Sequence, residues 1–287
     1  MSVSLRSRSL PVALMILVTL VVCALTGNAW AMRVSPMVSE ISTLGAGASA
    51  RIEVQNIAST PLPYETSITR ITFNADGTIT ETPADEDFLV FPPQGIAAPG
   101  ARQIIRAQWI GDPAAAASMA YYMEIRQLPV DFESRSTDVG SAAVQVVYHM
   151  KTLIIVAPPS TESAVQVVSV EAAEIQQPAA PVTTQTSIEA LTGTPVVPTA
   201  TVDTSPLPVV KVRLRNTGQR HAVMSGVNWI LEGVDRSGQP LKITLSAGQI
   251  SGAVGVGYVP PQGGERVLTV PTGQAFGDGP IKLSFAG

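Results

Sequence analysis

Short β-branched segments separated by turn residues constrain the fold of this 287-residue chain more than any other feature. Runs such as "ARIEVQN", "YETSITRITF", "RQIIRAQWI" and "AYYMEIRQL" are rich in Ile, Thr, Val and Tyr, and Gly, Pro, Asn and Asp lie between them. This spacing is typical of antiparallel sheets and predicts a β-sandwich. Because no segment has a long apolar stripe at helical spacing, we predict an all-β protein.

The length of the chain and a shift in its composition predict two domains. A chain of 287 residues exceeds what one small core requires. No Lys or Arg occurs between Thr152 and Val210, and the segment from about 176 to 208 is dense in Pro, Thr, Val and Ala. Such a segment buries too little apolar surface to offset its ordering entropy. We therefore predict an N-terminal sandwich over 32–159 and a smaller β-sandwich over 160–287, with a flexible insertion at about 176–208.

The first 31 residues have the features of a secretory signal peptide. Arg6 and Arg8 precede an apolar run from about Leu10 to Leu25, and the segment ends on the small-x-small pattern "AWA". The alternative is an uncleaved anchor, but this run is shorter than the roughly 20 residues that span a bilayer. We expect the mature chain to begin at Met32.

Removal of this segment leaves 16 basic and 22 acidic residues, a net charge of −6, so nucleic acid is not an expected partner. The single cysteine, Cys23, leaves with the segment. An exported mature chain would therefore have no disulfide, and its stability must come from packing.

Residues that could form a catalytic or metal site are scarce. The two histidines, His149 and His221, do not have the spacing of a metal pair, and neither adjoins a nucleophile motif. The Gly-rich segments "GAGAS" and "GAVGVG" precede no helix that could bind phosphate, and we interpret them as turns. The acidic run Asp85–Asp87 is typical of a solvated loop, with a calcium site as the alternative. We expect no enzyme activity, no cofactor and no metal.

One predicted strand is apolar on both faces. The segment from Ala142 to Pro158 reads "AAVQVVYHMKTLIIVAP", and strand side chains alternate between two faces. One face would hold Val144, Val146, Tyr148 and Met150, and the other would hold Val147, His149, Lys151, Leu153 and Ile155. Such a strand is either buried within its own two-sheet core or offers one face to a partner molecule.

Two segments that precede this strand carry Pro, Gly and Arg residues in a distinctive order. The first, "DFLVFPPQGIAAPGARQIIRAQW", has paired prolines, a Pro-Gly step and a strand that ends at Arg106; the second, "YYMEIRQLPV", has Arg126 and a Leu-Pro step. With "EVQNIASTPLPYE" and the opening strand, they resemble the periplasmic pilus-assembly chaperones of the chaperone-usher pathway from about Arg33 to Pro159. The second domain is more loosely similar through "VRLRNTGQRHAVMSGVNWIL" and "GAVGVGYVPPQGGERVLTVP".

The resemblance implies two immunoglobulin-like domains and a periplasmic, non-enzymatic function. In this family the last strand of the first domain is lent to an immature pilus subunit, which lacks its own final strand. The chaperone then delivers the subunit to an outer-membrane usher without using a nucleotide. By this resemblance the subunit-binding residues are Val144, Val146, Tyr148 and Met150.

The family also implies two basic residues that hold the terminal carboxylate of the subunit. The first strand has Val38 or Ser39 where the family has Arg, and Lys151 lies two places before the family's Lys, at which Leu153 stands. Lys151 and Arg33 are the nearest cations and are therefore the predicted carboxylate anchors. The alternative for Lys151 is a solvated side chain.

The resemblance further implies an ion cluster between the domains. Arg106 fits the arginine of this cluster, whereas Ser118 and Ala157 stand where charged partners are usual. These departures are typical of a divergent member of the family.

The alternative function is that of a secreted structural β-sandwich, such as a pilus or surface component, in which the apolar strand is core. A pilus subunit would be expected to begin with an extended donor segment, whereas here the first predicted strand starts almost at the cleavage site. A strand kept for lending would leave an apolar edge open, so we also predict a self-capping dimer when no subunit is bound.

Overall fold

The structure is a computed structural model that describes residues 32–74, 78–129, 147–176 and 206–286. Within these ranges 18 strands and one α-helix form two β-sandwiches. The prediction of an all-β protein with two immunoglobulin-like domains is confirmed. The predicted signal peptide and most of the predicted insertion lie outside the described residues and stay predictions. In the part of the chain that is described, no helix is long and apolar enough to cross a membrane.

The first sandwich has two sheets with strand orders β1-β3-β8-β6 and β2-β10-β9-β4-β5, and β7 pairs with the first residues of β4. Its strands are β1 (Met32–Ser35), β2 (Val38–Ser42), β3 (Ser49–Asn56), β4 (Leu62–Phe73), β5 (Ile79–Pro83), β6 (Phe88–Phe91), β7 (Gln94–Ala97), β8 (Arg102–Trp109), β9 (Met119–Gln127) and β10 (His149–Ala157). Alternate residues point into the core, as Ile105, Ala107 and Trp109 of β8 do. The core of this domain therefore lies between the two sheets.

The acidic run before β6 has a structural role. Asp85 accepts a hydrogen bond from the backbone N–H of Ile68 (2.7 Å), and Asp87 accepts one from the hydroxyl of buried Tyr121 (2.8 Å). Burial and this carboxylate raise the pKa of Tyr121. The interpretation of the run as a solvated loop is therefore incomplete, because two of its three carboxylates hold core strands. Among the described residues no group of three His, Cys, Asp or Glu could hold a metal ion.

The second sandwich packs the sheet β11-β12-β17 against the sheet β15-β14-β18, and β13 pairs with β16 beside them. Its strands are β11 (Val165–Ile175), β12 (Leu207–Asn216), β13 (Ala222–Val223), β14 (Asn228–Val234), β15 (Pro240–Leu245), β16 (Tyr258–Val259), β17 (Gly264–Pro271) and β18 (Lys282–Ala286). Trp229, Leu214 and Leu231 are fully buried in its core. The domain boundary predicted after Pro159 falls in the segment between β10 and β11, and the exact division stays a prediction.

The segment that includes "GAVGVG" was expected to form turns, but the structure has a helix there, α1 (Ala247–Val254). Ser246 caps it by accepting a hydrogen bond from the N–H of Gln249, and the Gln249 side chain accepts one from the backbone N–H of Ser246. This Ser-x-x-Gln capping box was visible in the sequence. The interpretation of "GAVGVG" as a turn is wrong for its first three residues, which end α1, and Gly255 then adopts a positive φ of 63°.

Candidate functional site

The first residues of β10 have an edge that no described strand covers. β10 pairs with β9 from His149 to Val156, but it pairs with β2 only from Leu153 onward. The Leu153 N–H donates to the Met37 carbonyl (2.9 Å), so the backbone groups of Lys151 and His149, two and four residues earlier, point to the same side. Thr152 is buried and its hydroxyl donates to the Pro36 carbonyl (2.8 Å), so we call the uncovered side of residues 149–151 the open edge.

The inner face of β10 belongs to the first domain. Ile154 and Val156 are buried in its core, and the half-buried Tyr148 and Met150 pack against that core. In this conformation Tyr148 and Met150 face the core of their own domain, whereas the lent-strand interpretation places them in the groove of a subunit. Val144 and Val146, the other two predicted subunit-binding residues, lie outside the described residues. Subunit binding by these four residues stays a prediction.

The outer face of β10 is covered by the second domain where it is most apolar. Leu153 and Ile155 are buried in a cluster with Ile71 and Ala120 of the first domain and Tyr258 of the second. This contact explains why the strand is apolar on both faces in its second half. The sequence could not show it, because a contact between domains leaves no periodic signal.

Lys151 lies on the same outer face, beside the domain contact, and forms an ion pair. Its Nζ atom is 2.8 Å from both carboxylate oxygens of Glu81 and 5.6 Å from the centroid of the Tyr122 ring. The Glu81 hydrogen bond raises the pKa of Lys151, and Lys151 in turn lowers the pKa of Glu81. With 40% of its side chain exposed, Lys151 is accessible to a ligand but already has a carboxylate partner.

The structure does not bring Arg33 and Lys151 together. Arg33 lies on β1 between the core residues Met32 and Val34, so its exposed side chain is on the outer face of the first sheet. Lys151 is on the outer face of the opposite sheet. One carboxylate therefore cannot contact both residues in this conformation, which corrects the expectation of a shared anchor. Carboxylate binding by either one stays a prediction.

The prediction that Arg106 belongs to an ion cluster between the domains is wrong. Arg106 lies on β8, and its Nε atom donates to Ser49 Oγ (2.9 Å) on the outer face of the first sheet. Ala157, which stands at another expected cluster position, is 3% exposed at the end of β10. Within the described residues, Arg106 therefore lies away from the contact between the domains.

A different set of polar residues joins the domains. Glu40 of β2 pairs with Arg220, and its second carboxylate oxygen is 3.4 Å from His221 Nε2. His221 also contacts Ser118, whose Oγ atom accepts from the His221 backbone N–H (3.2 Å) and lies 3.3 Å from Nδ1. Burial lowers the pKa of His221 more than Glu40 raises it. Of this set, sequence reasoning identified only the position of Ser118.

Arg266 of β17 contributes a cation to the same contact. Its guanidinium carbon is 4.7 Å from the centroid of the Phe73 ring in the first domain. Its Nε and Nη1 atoms are buried without a hydrogen-bond partner, and burial lowers its pKa. No sequence pattern marks this residue, because a lone arginine on a predicted strand is usually solvated.

The sequence matches no protein-family model and no curated protein. Several solved structures are similar over most of the chain, and fimbrial chaperones recur among them. The class 5 fimbriae chaperone CfaA is 11% identical, with 89% of this chain and 99% of that chain covered and a TM-score of 0.47. A complex of the Salmonella enterica SafA pilin with the SafB chaperone is 14% identical (91% and 99% covered, TM-score 0.45). The E. coli chaperone DraB is 13% identical (89% and 95% covered, TM-score 0.43).

Proposed function

We propose that the protein is a periplasmic chaperone that binds pilus subunits by lending them the strand that contains β10. The observation that carries the proposal is the open edge at residues 149–151, where the strand has main-chain groups that no described strand pairs with. An incomplete sandwich could add this strand to its own sheet through main-chain hydrogen bonds. The Pro, Gly and Arg motifs of the sequence support the same proposal.

The rest of the proposal follows from the resemblance. Residues 1–31 would direct export and be removed, and the chaperone would transfer its subunit to an outer-membrane usher. Replacement of the lent strand by the next subunit's own extension can drive release, so neither a cofactor nor a chemical reaction is required.

Among the proposed donor residues, Val144 and Val146 give the cleanest test. Tyr148 and Met150 already pack against the first core, so a substitution there would change stability as well as binding. An apolar side chain that enters a subunit groove contributes on the order of 1.5–3 kcal/mol. A carboxylate in the same place would lose that contribution and add the cost of its own desolvation.

The experiment is subunit capture by Val146→Asp. We expect the variant to be folded, by circular dichroism and thermal melting, but to recover no co-expressed pilus subunit in affinity purification. The matched control is Val168→Asp on β11, where the parent side chain is 49% exposed; it should capture subunits normally. Normal recovery of subunits by folded Val146→Asp would remove the lent-strand proposal.

The burial of Leu153 and Ile155 by the second domain favours a second candidate, a secreted structural β-sandwich without chaperone activity. In that case part of the two-faced apolar pattern serves only the chain's own packing. A structural component would be recovered with assembled pili or the cell surface. A chaperone would be recovered from the periplasm in complex with unassembled subunits.

A further inference from the structure

A stack of four side chains crosses the contact between the two domains. The His221 ring stacks on Tyr258 (centroids 5.4 Å apart, planes at 10°), and Tyr258 stacks on Phe73 of the first domain (4.7 Å, 26°). The Arg266 guanidinium lies on Phe73 at the far end. Only Phe73 comes from the first domain, so separation of the domains would take it out of the stack. The titratable group in the stack that changes charge near neutral pH is His221.

The surroundings of His221 fit a neutral imidazole. Its backbone N–H donates to Ser118 Oγ, which leaves the serine hydroxyl hydrogen to donate to Nδ1. The Nε2–H tautomer fits these contacts, because Nδ1 can then accept from Ser118 while Nε2–H faces the Glu40 carboxylate at 3.4 Å. A proton added at Nδ1 would face the Ser118 hydroxyl, and the hydroxyl hydrogen would have to turn away. The neutral ring therefore matches the docked domains better than the charged ring does.

The charged groups around His221 do not compensate for the cost of burying a positively charged imidazolium. Glu40 of β2 is the acid that faces it, but the other oxygen of Glu40 is already paired with Arg220, whose own charge opposes protonation. Tyr258 of β16 and Ser118, which precedes β9, add no negative charge near neutral pH. Only 3% of the His221 side chain is exposed, so water can solvate the imidazolium only if the domains separate.

We propose that protonation of His221 loosens the contact between the two domains, so that acidification weakens their docking. This inference concerns the domain contact and does not depend on the proposed function. The sign follows from linkage: the docked pKa lies below the ordinary value of 6.5, so the separated state takes up the proton first. Docking is strongest above pH 6.5 and weakens as the pH falls toward the docked pKa. One proton changes the docking constant by at most about tenfold per pH unit within that window.

A buried thiol measures the separation. Ala120 is 3% exposed beneath Tyr258 in the middle of the sheet, whereas Ala114 lies in an exposed turn. Two full-length variants are made in a Cys23→Ser background, one with Ala120→Cys and one with Ala114→Cys, so that each has a single thiol. The measured quantity is the rate at which dithiodipyridine reacts with the Ala120→Cys protein, divided by its rate with the Ala114→Cys protein at the same pH. This ratio cancels the pH dependence of the thiol itself. We expect it to rise between pH 7.5 and pH 5.5, by at most about tenfold.

The two histidines of the chain supply matched variants. The rise should persist in His149→Gln, because His149 is half-exposed on the opposite half of the outer face, and it should disappear in His221→Gln. A flat ratio in the parent, or an equal rise in His221→Gln, would overturn the proposal. Since His221→Gln could itself separate the domains, an NMR titration of the two imidazoles in the parent is the second measurement. His221 must titrate below 6.5, and titration at or above that value also overturns the proposal.

Discussion

The two halves of β10 lie in one strand but in different environments. Residues 153–156 pair with β2 on one edge and β9 on the other, and both of their faces are buried. Among the described strands, residues 149–152 pair only with β9, and their outer face carries the exposed His149 and Lys151. The first half therefore offers an unpaired edge to an incoming strand. The second half supplies the buried apolar side chains that hold the two domains together.

The two halves therefore separate an open edge from burial on both faces, although the sequence shows a single run of apolar residues on both faces. Apolar residues on both faces indicated a strand prepared for a partner, yet where the pattern is strongest the partner is the chain's own second domain. The proposed function therefore rests on the open edge of β10 rather than on its hydrophobicity. Hydrophobic burial fixes the strand in place, so that the edge is presented at a defined position beside the domain contact.

The largest expected effect is on stability in the second half of β10. Ile155→Ala removes a side chain that is 1% exposed in the cluster between the domains, and such truncations cost about 2–5 kcal/mol. Val147→Ala, just before the strand and 37% exposed, should change the unfolding free energy by less than about 0.5 kcal/mol. Urea denaturation of both variants measures the difference. Equal losses would contradict the division of the outer face into two environments.

The next effect concerns subunit capture by the first half. Lys151→Ala should weaken capture at least tenfold, because loss of a charge-assisted hydrogen bond costs roughly 1.5–3 kcal/mol. Arg33→Ala is the companion variant; because Arg33 lies on the outer face of the opposite sheet, away from the open edge, we expect its loss to weaken capture less than the loss of Lys151 does. Titration of a purified subunit against each variant gives the affinities. If Lys151→Ala binds as the parent does, the carboxylate anchor lies elsewhere.

A smaller effect is expected on self-association of the free protein. An open edge is a template for pairing with another edge, so we predict a concentration-dependent dimer that a bound subunit dissociates. His149→Pro removes an N–H that points away from β9, and loss of one main-chain hydrogen bond should weaken the dimer by about two- to tenfold. Sedimentation of both chains, alone and with a subunit, tests this. A parent that stays monomeric at high concentration would show that the edge is protected within one chain.

Sequence reasoning predicted the architecture because each strand carries its own evidence. Alternation and β-branched residues mark β3, β8 and β9 locally, and the turns between them are Gly- and Pro-rich. The capping box of α1 is an equally local signal. The polar contact between the domains could not be predicted in the same way, because Glu40 and His221 are 181 residues apart in the chain and no periodicity links them. Arg106 was misplaced for the same reason: its motif fits, but only the fold shows which face it occupies.

The smallest expected effect is the pH dependence of the ion pair at the open edge. Lys151 lowers the pKa of Glu81 below its ordinary value of 4.5, so the pair stabilises the folded state above that pH, and its contribution is lost as the pH falls through the lowered pKa. Both side chains are more than a third exposed, which limits the contribution to under about 1 kcal/mol. Glu81→Gln should therefore be slightly less stable than the parent at pH 7 and equally stable once Glu81 is protonated in the folded parent, as measured by urea denaturation. A stability difference that persists when Glu81 is protonated would mean that Glu81 acts through packing, and Lys151 would then be freer to bind a subunit than the ion pair implies.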